Sequence, residues 1–179
     1  MKNLQLSILI LLLAGSMTLW GCEGSADFDI SSRTVEATIN GSGWKGSGGT
    51  GVKQTVNTGQ GSVTTVTVVA AKLLNQSTGD NETMEVTIYG EVGADNIEER
   101  EYDVEEDEIP GAQFSFTTFI NNERVSYFAT SGTVTVRDVT EDGVQGTFEG
   151  TLANSEDASD TKEVTGGGFN VDFGYNFEF

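Results

Sequence analysis

Residues 132–152 constrain the fold most, because two runs in this segment alternate apolar and polar side chains with a period of two. Alternate side chains of a β-strand point to opposite faces, so each run predicts a strand with one apolar face. The apolar positions are Val134, Val136, Val144, Phe148 and Leu152. Asp142-Gly143 joins the runs and predicts a hairpin turn, since glycine accepts positive φ and aspartate can bond the local backbone. A lone hairpin is unstable in water, so this one must pack against further strands.

The same alternation recurs along most of the chain from residue 35 onward. Further strands are predicted at 35–39, 62–74, 83–89, around Tyr102 and Val104, and at 114–120, 124–130 and 163–172. Phe119 is out of phase within its run and predicts a β-bulge. The glycine-rich residues 41–61 lack a phosphate-loop Gly-Lys-Ser/Thr sequence and predict a mobile loop or an irregular strand. We therefore expect an all-β domain over residues 34–179, an antiparallel β-sandwich or small β-barrel of roughly eight to ten strands.

Composition removes several classes of chemistry. The chain has no histidine and one cysteine, which excludes histidine-containing zinc sites, Ser-His and Cys-His nucleophile pairs, and an intrachain disulfide. Its formal net charge of -19 repels nucleic acid, so we expect no nucleic-acid partner. We predict no catalytic, cofactor-binding or metal-ligating residue and no cofactor. The acidic runs at 95–108 and 154–160 are interpreted as solvated faces, with a weak calcium site as the alternative.

The first residues have the pattern of a targeting signal. Lys2 precedes an apolar stretch at residues 4–13 that has the length of a signal-peptide core and is too short to span a bilayer. Leu19-Trp20-Gly21-Cys22 then resembles the lipobox of bacterial lipoproteins, in which the cysteine becomes lipidated. The alternative is an ordinary signal peptide followed by a buried cysteine.

The lipobox resemblance has consequences for the rest of the chain. It implies that residues 1–21 are a lipoprotein signal peptide that is removed, and that acyl chains on Cys22 hold the protein to a membrane. Small and polar residues at 22–33 are typical of a flexible tether. Glu23 follows the cysteine, at the position where an aspartate can retain such proteins at the inner membrane. By the same resemblance, a glutamate at this position favours the outer membrane. We therefore expect a lipid-anchored protein of the outer membrane, facing either the periplasm or the cell surface.

Four short motifs lie within the β domain. They are Ala37-Thr38-Ile39-Asn40-Gly41 with Trp44, Ser131-Gly132-Thr133-Val134-Thr135-Val136, Gly146-Thr147-Phe148, and Gly167-Gly168-Phe169-Asn170-Val171-Asp172-Phe173. Together they resemble a family of small secreted lipoproteins of Bacteroidota. The chain departs from that pattern in a longer glycine-rich loop after Trp44 and in extra residues at its end. The resemblance implies an all-β domain and brings no activity or site residue with it.

The sequence favours a non-enzymatic binding or structural module of the cell envelope, with a protein or glycan partner that the residues do not identify. We keep three alternatives. A glycan hydrolase needs only two carboxylates in one cleft, and a small-ligand carrier needs an apolar cavity inside a barrel. Residues 172–179 alternate aromatic side chains and end on Phe179, which resembles the last strand of integral outer-membrane β-barrels.

Overall fold

The computed structural model describes residues 33–58, 61–104 and 109–177, and nine β-strands lie within these ranges. The predicted signal peptide, Cys22 and the predicted tether before Arg33 lie outside the described residues. The strands are β1 (Thr34–Ile39), β2 (Ser42–Thr58), β3 (Gly61–Asn75), β4 (Asp80–Val92), β5 (Glu101–Asp103), β6 (Gly111–Ile120), β7 (Glu123–Val139), β8 (Gly143–Asn154) and β9 (Thr161–Phe177). Each predicted strand overlaps one of these elements, although Val104 of the predicted short strand follows the end of β5.

Eight of the described strands close into a barrel in the order β7-β6-β4-β3-β2-β1-β9-β8, and β8 pairs with β7 to complete the ring. β5 is the ninth strand and lies beside the second half of β7. Neighbours in the ring are antiparallel, and the end of β9 additionally runs parallel to β2. Closure leaves no long unpaired edge, which an open sheet of this length would expose. The all-β prediction is confirmed, and of its two architectures the chain adopts the barrel.

The interior of the barrel is filled by the alternate side chains that the sequence marks as apolar. Two cross-strand pairs between β8 and β9 show how the space is shared, with Gly146 opposite Phe169 and Phe148 opposite Gly167. A Cβ atom on Gly146 would lie 2.5 Å from Phe169 Cζ, and one on Gly167 would lie 2.8 Å from Phe148 Cδ2. Each glycine therefore leaves its side-chain volume to the neighbouring ring, which lets large rings pack inside a narrow barrel.

Most of the glycine-rich segment at residues 41–61 belongs to β2, a 17-residue strand whose register with β3 is irregular at one point. Of the two predictions for this segment, the irregular strand is confirmed and the mobile loop is wrong. A Cβ atom on Gly46 would lie 2.6 Å from Trp44 Cη2, and one on Gly51 would lie 2.8 Å from Phe173 Cδ1. These glycines serve close packing within the sheet, because an aromatic ring crosses the strand at each of them.

Two details of the predicted strands are wrong. The bulge expected at Phe119 is not formed, since β6 pairs with β4 in unbroken register from its first residue to Phe119. Ile120, at the end of the same run, is 40% exposed, so the apolar run continues past the core. The segments 124–130 and 132–139 form the single strand β7, whose register with β8 shifts between them. A bulge therefore lies between β7 and β8, where the sequence suggested two strands.

The turn between β7 and β8 is built differently from the prediction. Gly143 does not adopt positive φ and is the first residue of β8. Thr140 Oγ1 holds the turn by accepting hydrogen bonds from the backbone N–H groups of Asp142 at 3.2 Å and Gly143 at 3.1 Å. Glycine is needed at 143 because a Cβ atom there would lie 2.6 Å from the carbonyl oxygen of Val171 on β9. The hairpin is confirmed, and its glycine serves a close approach between strands.

The described chain enters and leaves the barrel at the same end. Arg33 precedes β1, and its Nε lies 3.0 Å from Asp172 Oδ2 near the end of β9. We call this the proximal end. It also holds the β4–β5 loop at 93–100 and the β7–β8 turn at 140–142. The opposite, distal end holds the turns at 40–41, 76–79 and 121–122 and the β8–β9 loop at 155–160.

Candidate functional site

The barrel wall has two seams, and at each of them a different short strand lies between two longer strands. At the first, the six residues of β1 lie between β2 and β9. Beyond the start of β1, residues 51–54 of β2 pair directly with the end of β9, so the wall stays continuous. We call this the closed seam.

At the second seam, the three residues of β5 lie between β6 and β7. The ladder between β6 and β7 extends from the distal turn only as far as the pair Ser115 and Phe128. Val104, which follows β5, forms a single bridge to Ala112 of β6 and donates its N–H to the Gly132 carbonyl of β7 at 3.0 Å. We call this the open seam, because β6 and β7 diverge here and one short strand stands between them.

A groove of about 470 Å³ lies on the outer face of the barrel at the open seam. Its floor consists of the buried residues Val104 and Phe114 with the partly buried Ala129. Its walls are formed by the outward residues of three strands: Glu85, Thr87 and Tyr89 of β4, Gln113 and Ser115 of β6, and Phe128 and Thr130 of β7. The volume falls within the range of pockets that hold small ligands, about 300–1,000 Å³.

Two aromatic side chains stand at opposite corners of the groove. Tyr89 lies four residues from Glu85 along β4, about 13 Å at the rise of an extended strand. Glu85 pairs with Ser115 and Ser115 with Phe128, which places Phe128 about 10 Å across the sheet from Glu85. The two residues therefore stand at opposite corners of the groove, and the diagonal between their backbones measures roughly 16 Å.

The walls of the groove are polar between these rings. Phe128 is 53% exposed, which is high for an aromatic residue in the middle of a sheet. The pKa of Tyr89 is raised above its usual value, first by burial and then by the negative charge of Glu85. Thr87 is held in place by a 3.2 Å hydrogen bond between its hydroxyl and that of Thr67 on β3. The groove thus offers hydroxyl and amide groups and one carboxylate, an arrangement suited to binding by stacking and hydrogen bonding.

A second, smaller concavity of about 300 Å³ lies over β7, β8 and β9. Two exposed carboxylates line it, Glu149 on β8 and Glu163 on β9. Its floor contains Gly132 and Gly150, which lie opposite each other and both have positive φ. A Cβ atom on Gly132 would collide with the Glu149 carbonyl, and one on Gly150 with that of Ser131. This glycine pair lets β7 and β8 approach closely and leaves a depression beneath the two carboxylates.

The distal end of β7 is clamped by the β8–β9 loop. Tyr127 Oη donates a 2.8 Å hydrogen bond to Asp160 Oδ2, and Asn154 Nδ2 donates one of 3.1 Å to the same oxygen. Lys162 Nζ lies 4.3 Å from the centre of the Tyr127 ring. Hydrogen bonds from Asn154 and Tyr127 lower the pKa of Asp160, while burial and then the hydrogen bond and charge of Asp160 raise the pKa of Tyr127.

The first acidic run contributes structure as well as charge. Ile97 and Tyr102 are buried, and Tyr102 Oη accepts the N–H of Glu98 at 2.8 Å and donates to its carbonyl at 3.1 Å. Arg100 lies over the Tyr102 ring at 4.8 Å. Within the described ranges, no group of three or more acidic residues, cysteines or histidines could hold a metal ion. Residues 105–108 of this run lie outside the described residues.

Inside the barrel, aromatic rings occupy the space where a carried ligand would lie. Trp44 and Phe116 have ring centres 6.2 Å apart, and Phe148 lies 5.4 Å from Phe114 and 6.4 Å from Phe169. The outward positions of β4 and β6 are mostly threonine, glutamate, asparagine, glutamine and serine, by contrast. An apolar interior and a polar exterior are the reverse of the distribution in barrels that span membranes around a polar lumen.

No protein-family model, curated protein or solved structure is similar enough to this chain to indicate a relationship. None of the described residues forms a helix that is long and apolar enough to cross a membrane. The one predicted site residue, Cys22, lies outside the described residues.

The sequence did not single out the residues of the groove. A signal was present at Tyr127-Phe128, because two consecutive aromatic residues in one strand cannot both point inward. Tyr127 is buried and Phe128 is exposed. Val104 was assigned to the short strand, yet its position in the floor of a groove depends on the divergence of β6 and β7, which no local pattern encodes.

Proposed function

We propose that this protein is a lipid-anchored, non-enzymatic binding module of the bacterial cell envelope that holds its ligand in the groove at the open seam. The observation that carries the proposal is the position of this groove. The barrel interior is filled by its own side chains, whereas a concavity of about 470 Å³ lies on the outer wall, with an exposed Phe128 at its rim. A concave surface that combines aromatic side chains with a few convergent polar groups is typical of a ligand site.

The anchor part of the proposal rests on the lipobox resemblance at Cys22 and agrees with the geometry of the barrel. The ten residues 23–32 reach at most about 36 Å when fully extended. They join the barrel at Arg33, on the proximal end, so a lipid on Cys22 would hold that end toward an outer membrane. The groove lies on the side wall, where a ligand has access from the surrounding water. The polar outer wall supports a barrel held at the membrane by its lipid over one that spans it.

The anchor is tested by the full chain carrying Cys22→Ser, expressed in a bacterium that processes lipoproteins. We expect the unsubstituted protein to partition into the detergent phase and the variant to move to the aqueous phase, because two or more acyl chains are needed for stable anchoring. Ser25→Ala, three residues away, is the matched control and should partition like the unsubstituted protein. Detergent-phase partitioning of Cys22→Ser would remove the anchor from the proposal.

The groove is tested by thermal denaturation of the detergent-solubilised full chain with neutral polysaccharides, anionic polysaccharides, peptides and fatty acids. A ligand that binds only the folded state raises Tm, and we expect at least one class to do so. The shift should be lost in Phe128→Ala and kept in Leu73→Ala, an exposed apolar residue at the distal end. The proposal fails if every shift is the same in Phe128→Ala as in the unsubstituted protein.

A second candidate function, a carboxylate-based glycan hydrolase, is favoured by the smaller concavity that contains Glu149 and Glu163. Glycoside hydrolysis by the common mechanisms needs two carboxyl groups on either side of the scissile bond. Release of reducing ends from envelope glycans is the assay. Under this candidate, Glu149→Gln and Glu163→Gln would each abolish release while Glu123→Gln, outside the concavity, would not. An unsubstituted protein that releases nothing removes this candidate.

A further inference from the structure

We infer that the ligand of the groove is a neutral carbohydrate chain, an inference that rests on the proposed function of the groove. The first step is shape. Tyr89 and Phe128 stand at opposite corners of the groove, with their backbones roughly 16 Å apart along the diagonal. One sugar ring cannot contact both side chains at once, whereas a short oligosaccharide can place a ring against each.

The second step is the match between the groups that the walls present and those that a sugar carries. Thr87, Ser115 and Thr130 offer hydroxyl groups, and Gln113 offers an amide. Ser115 and Gln113 can both donate and accept hydrogen bonds, as sugar hydroxyl groups do. Thr130 Oγ1 already donates to the Thr151 carbonyl at 3.2 Å and keeps its capacity to accept. An exposed aromatic ring provides an apolar surface for the C–H face of a pyranose. The hydrogen bond between Thr87 and Thr67 fixes one wall hydroxyl in advance, which lowers the entropy that binding must overcome.

The third step is charge. Glu85 lies in the wall, its charge reaches Tyr89, and the chain as a whole carries a formal charge of -19. A phosphate group or an acidic polysaccharide would therefore be repelled from the groove. A neutral chain avoids that repulsion, and its hydroxyl groups can donate charge-assisted hydrogen bonds to the Glu85 carboxylate.

The fourth step concerns the two other occupants that a groove on a sheet commonly takes. An extended peptide would bind by adding to a strand edge. At this seam Val104 already bridges Ala112 and donates to the Gly132 carbonyl. Only two residues of β6, Gln113 and Phe114, lie between that bridge and the end of the β6–β7 ladder, which is too short a stretch for an added strand. An acyl chain would need apolar floor area, but Phe114 is 2% exposed and Val104 is 7% exposed, so the floor offers little. A neutral polyol fits the remaining polar walls best.

The test is affinity electrophoresis of the detergent-solubilised full chain through gels that contain a neutral mannan, a neutral β-glucan or the anionic polygalacturonate. We expect retardation by at least one neutral polysaccharide and none by polygalacturonate. Phe128→Ala and Tyr89→Ala should each weaken that binding about tenfold, the factor that corresponds to about 1.4 kcal/mol. Leu73→Ala should bind as the unsubstituted protein does, and Tyr89→Phe, which keeps the ring, should lose less than Tyr89→Ala.

The outcomes separate this inference from the function on which it rests. Failure of both neutral polysaccharides, or equal retardation by polygalacturonate, overturns the carbohydrate assignment. If a peptide or fatty acid then raises Tm in a manner that Phe128→Ala abolishes, the groove remains a binding site for a different ligand. If no class of ligand shows dependence on Phe128, the inference and the proposed function fail together. Near-ultraviolet circular dichroism of each variant establishes that its barrel is folded.

Discussion

The closed seam and the open seam begin from the same device, a short strand wedged between two long ones, and end with different walls. At the closed seam, Val35 of β1 pairs with both Gly46 and Phe169, and β2 meets β9 again beyond it. At the open seam, β5 has a ladder with β7 alone, and Val104 makes one bridge to β6. A six-residue wedge is paired along both edges, whereas a three-residue wedge leaves a groove on the outside.

The difference separates stability from binding within one barrel. Alternate side chains at the closed seam point into a filled interior, where Val35 and Phe169 have no exposed surface. The open seam exposes Phe128 and a row of polar side chains while keeping its floor covered. Substitutions at the closed seam should therefore change the free energy of unfolding, and substitutions on the walls of the open seam should change ligand binding.

The largest expected effect is that of Phe169→Ala at the closed seam. Removing the ring leaves a cavity beside Gly146, which has no side chain to fill it. We expect a loss of about 3–5 kcal/mol in the free energy of unfolding, measured by urea denaturation. Phe173→Ala, on the same strand and only partly buried, is the control and should cost clearly less. A loss below about 1 kcal/mol for Phe169→Ala would show that packing at this seam contributes little to the stability of the barrel.

The next effect is that of Tyr102→Phe at the open seam. The substitution keeps the buried ring and its contact with Arg100 and removes both hydrogen bonds to the Glu98 backbone. We expect a loss of about 1–2 kcal/mol in urea denaturation, because the Glu98 N–H loses its partner. Tyr89→Phe, on the groove wall, should be close to neutral. Equal effects of the two variants would contradict the view that the hydrogen bonds of Tyr102 to the Glu98 backbone hold β5 in place.

A smaller effect on stability is expected at low pH, because the clamp of the β8–β9 loop on the distal end of β7 depends on the Asp160 carboxylate. The folded protein lowers the pKa of Asp160 from 3.8, first through the hydrogen bond from Asn154 and then through that from Tyr127. A lowered pKa means that the unfolded chain binds the proton more readily. The stabilisation is therefore complete above pH 3.8 and is lost as the pH falls through the lower pKa of the folded state.

The clamp is measured as Tm between pH 6 and pH 2 for the unsubstituted protein and for Asp160→Asn. We expect the difference in Tm between them to shrink below pH 3.8, the unperturbed value. Tyr127→Phe keeps the bond from Asn154 and should remove the acid dependence only in part. A constant difference across the range would mean that the Asp160 carboxylate does not stabilise the fold.

At the alkaline end, the raised pKa of Tyr127 predicts falling stability above pH 10.0.

The smallest effect on stability is expected for Phe128→Ala. The side chain is half exposed and lies on the rim of the groove, so its removal should change the free energy of unfolding by no more than about 0.5 kcal/mol. Urea denaturation measures this. Unchanged stability together with lost ligand binding would sharpen the separation between the two seams. A loss comparable to that of Phe169→Ala would mean that side chains at the open seam contribute as much to the stability of the barrel as those at the closed seam.

The alternating pattern predicted the strands and the side of each that faces inward. Val134, Val136 and Phe148 are buried as predicted, because a period of two leaves a strand no other way to bury them. At Gly46 and Gly51 the pattern left a mobile loop and an irregular strand equally open. These positions lie under Trp44 and Phe173, and a glycine that makes room for a ring looks in sequence like one that makes a turn.

The residues of the groove could not be predicted from the sequence, because they come from separate strands. Glu85, Gln113 and Phe128 lie on three strands and share no local motif. They meet because the ladder between β6 and β7 stops at Ser115, where β5 enters the wall. Only the pair Tyr127-Phe128 carried a local signal, since one of two adjacent aromatics in a strand must face outward.

The sequence by itself determined the all-β class, the inward face of the regularly alternating strands and the lack of histidine chemistry, and it predicts the anchor at Cys22. These follow from side-chain period and composition, which are local properties of the chain. Only the tertiary structure decided that the sheet closes into a barrel, that its interior is filled, and that a groove opens beside β5. Closure and divergence depend on which strands pair over long separations and how far each ladder extends, and no single segment carries that information.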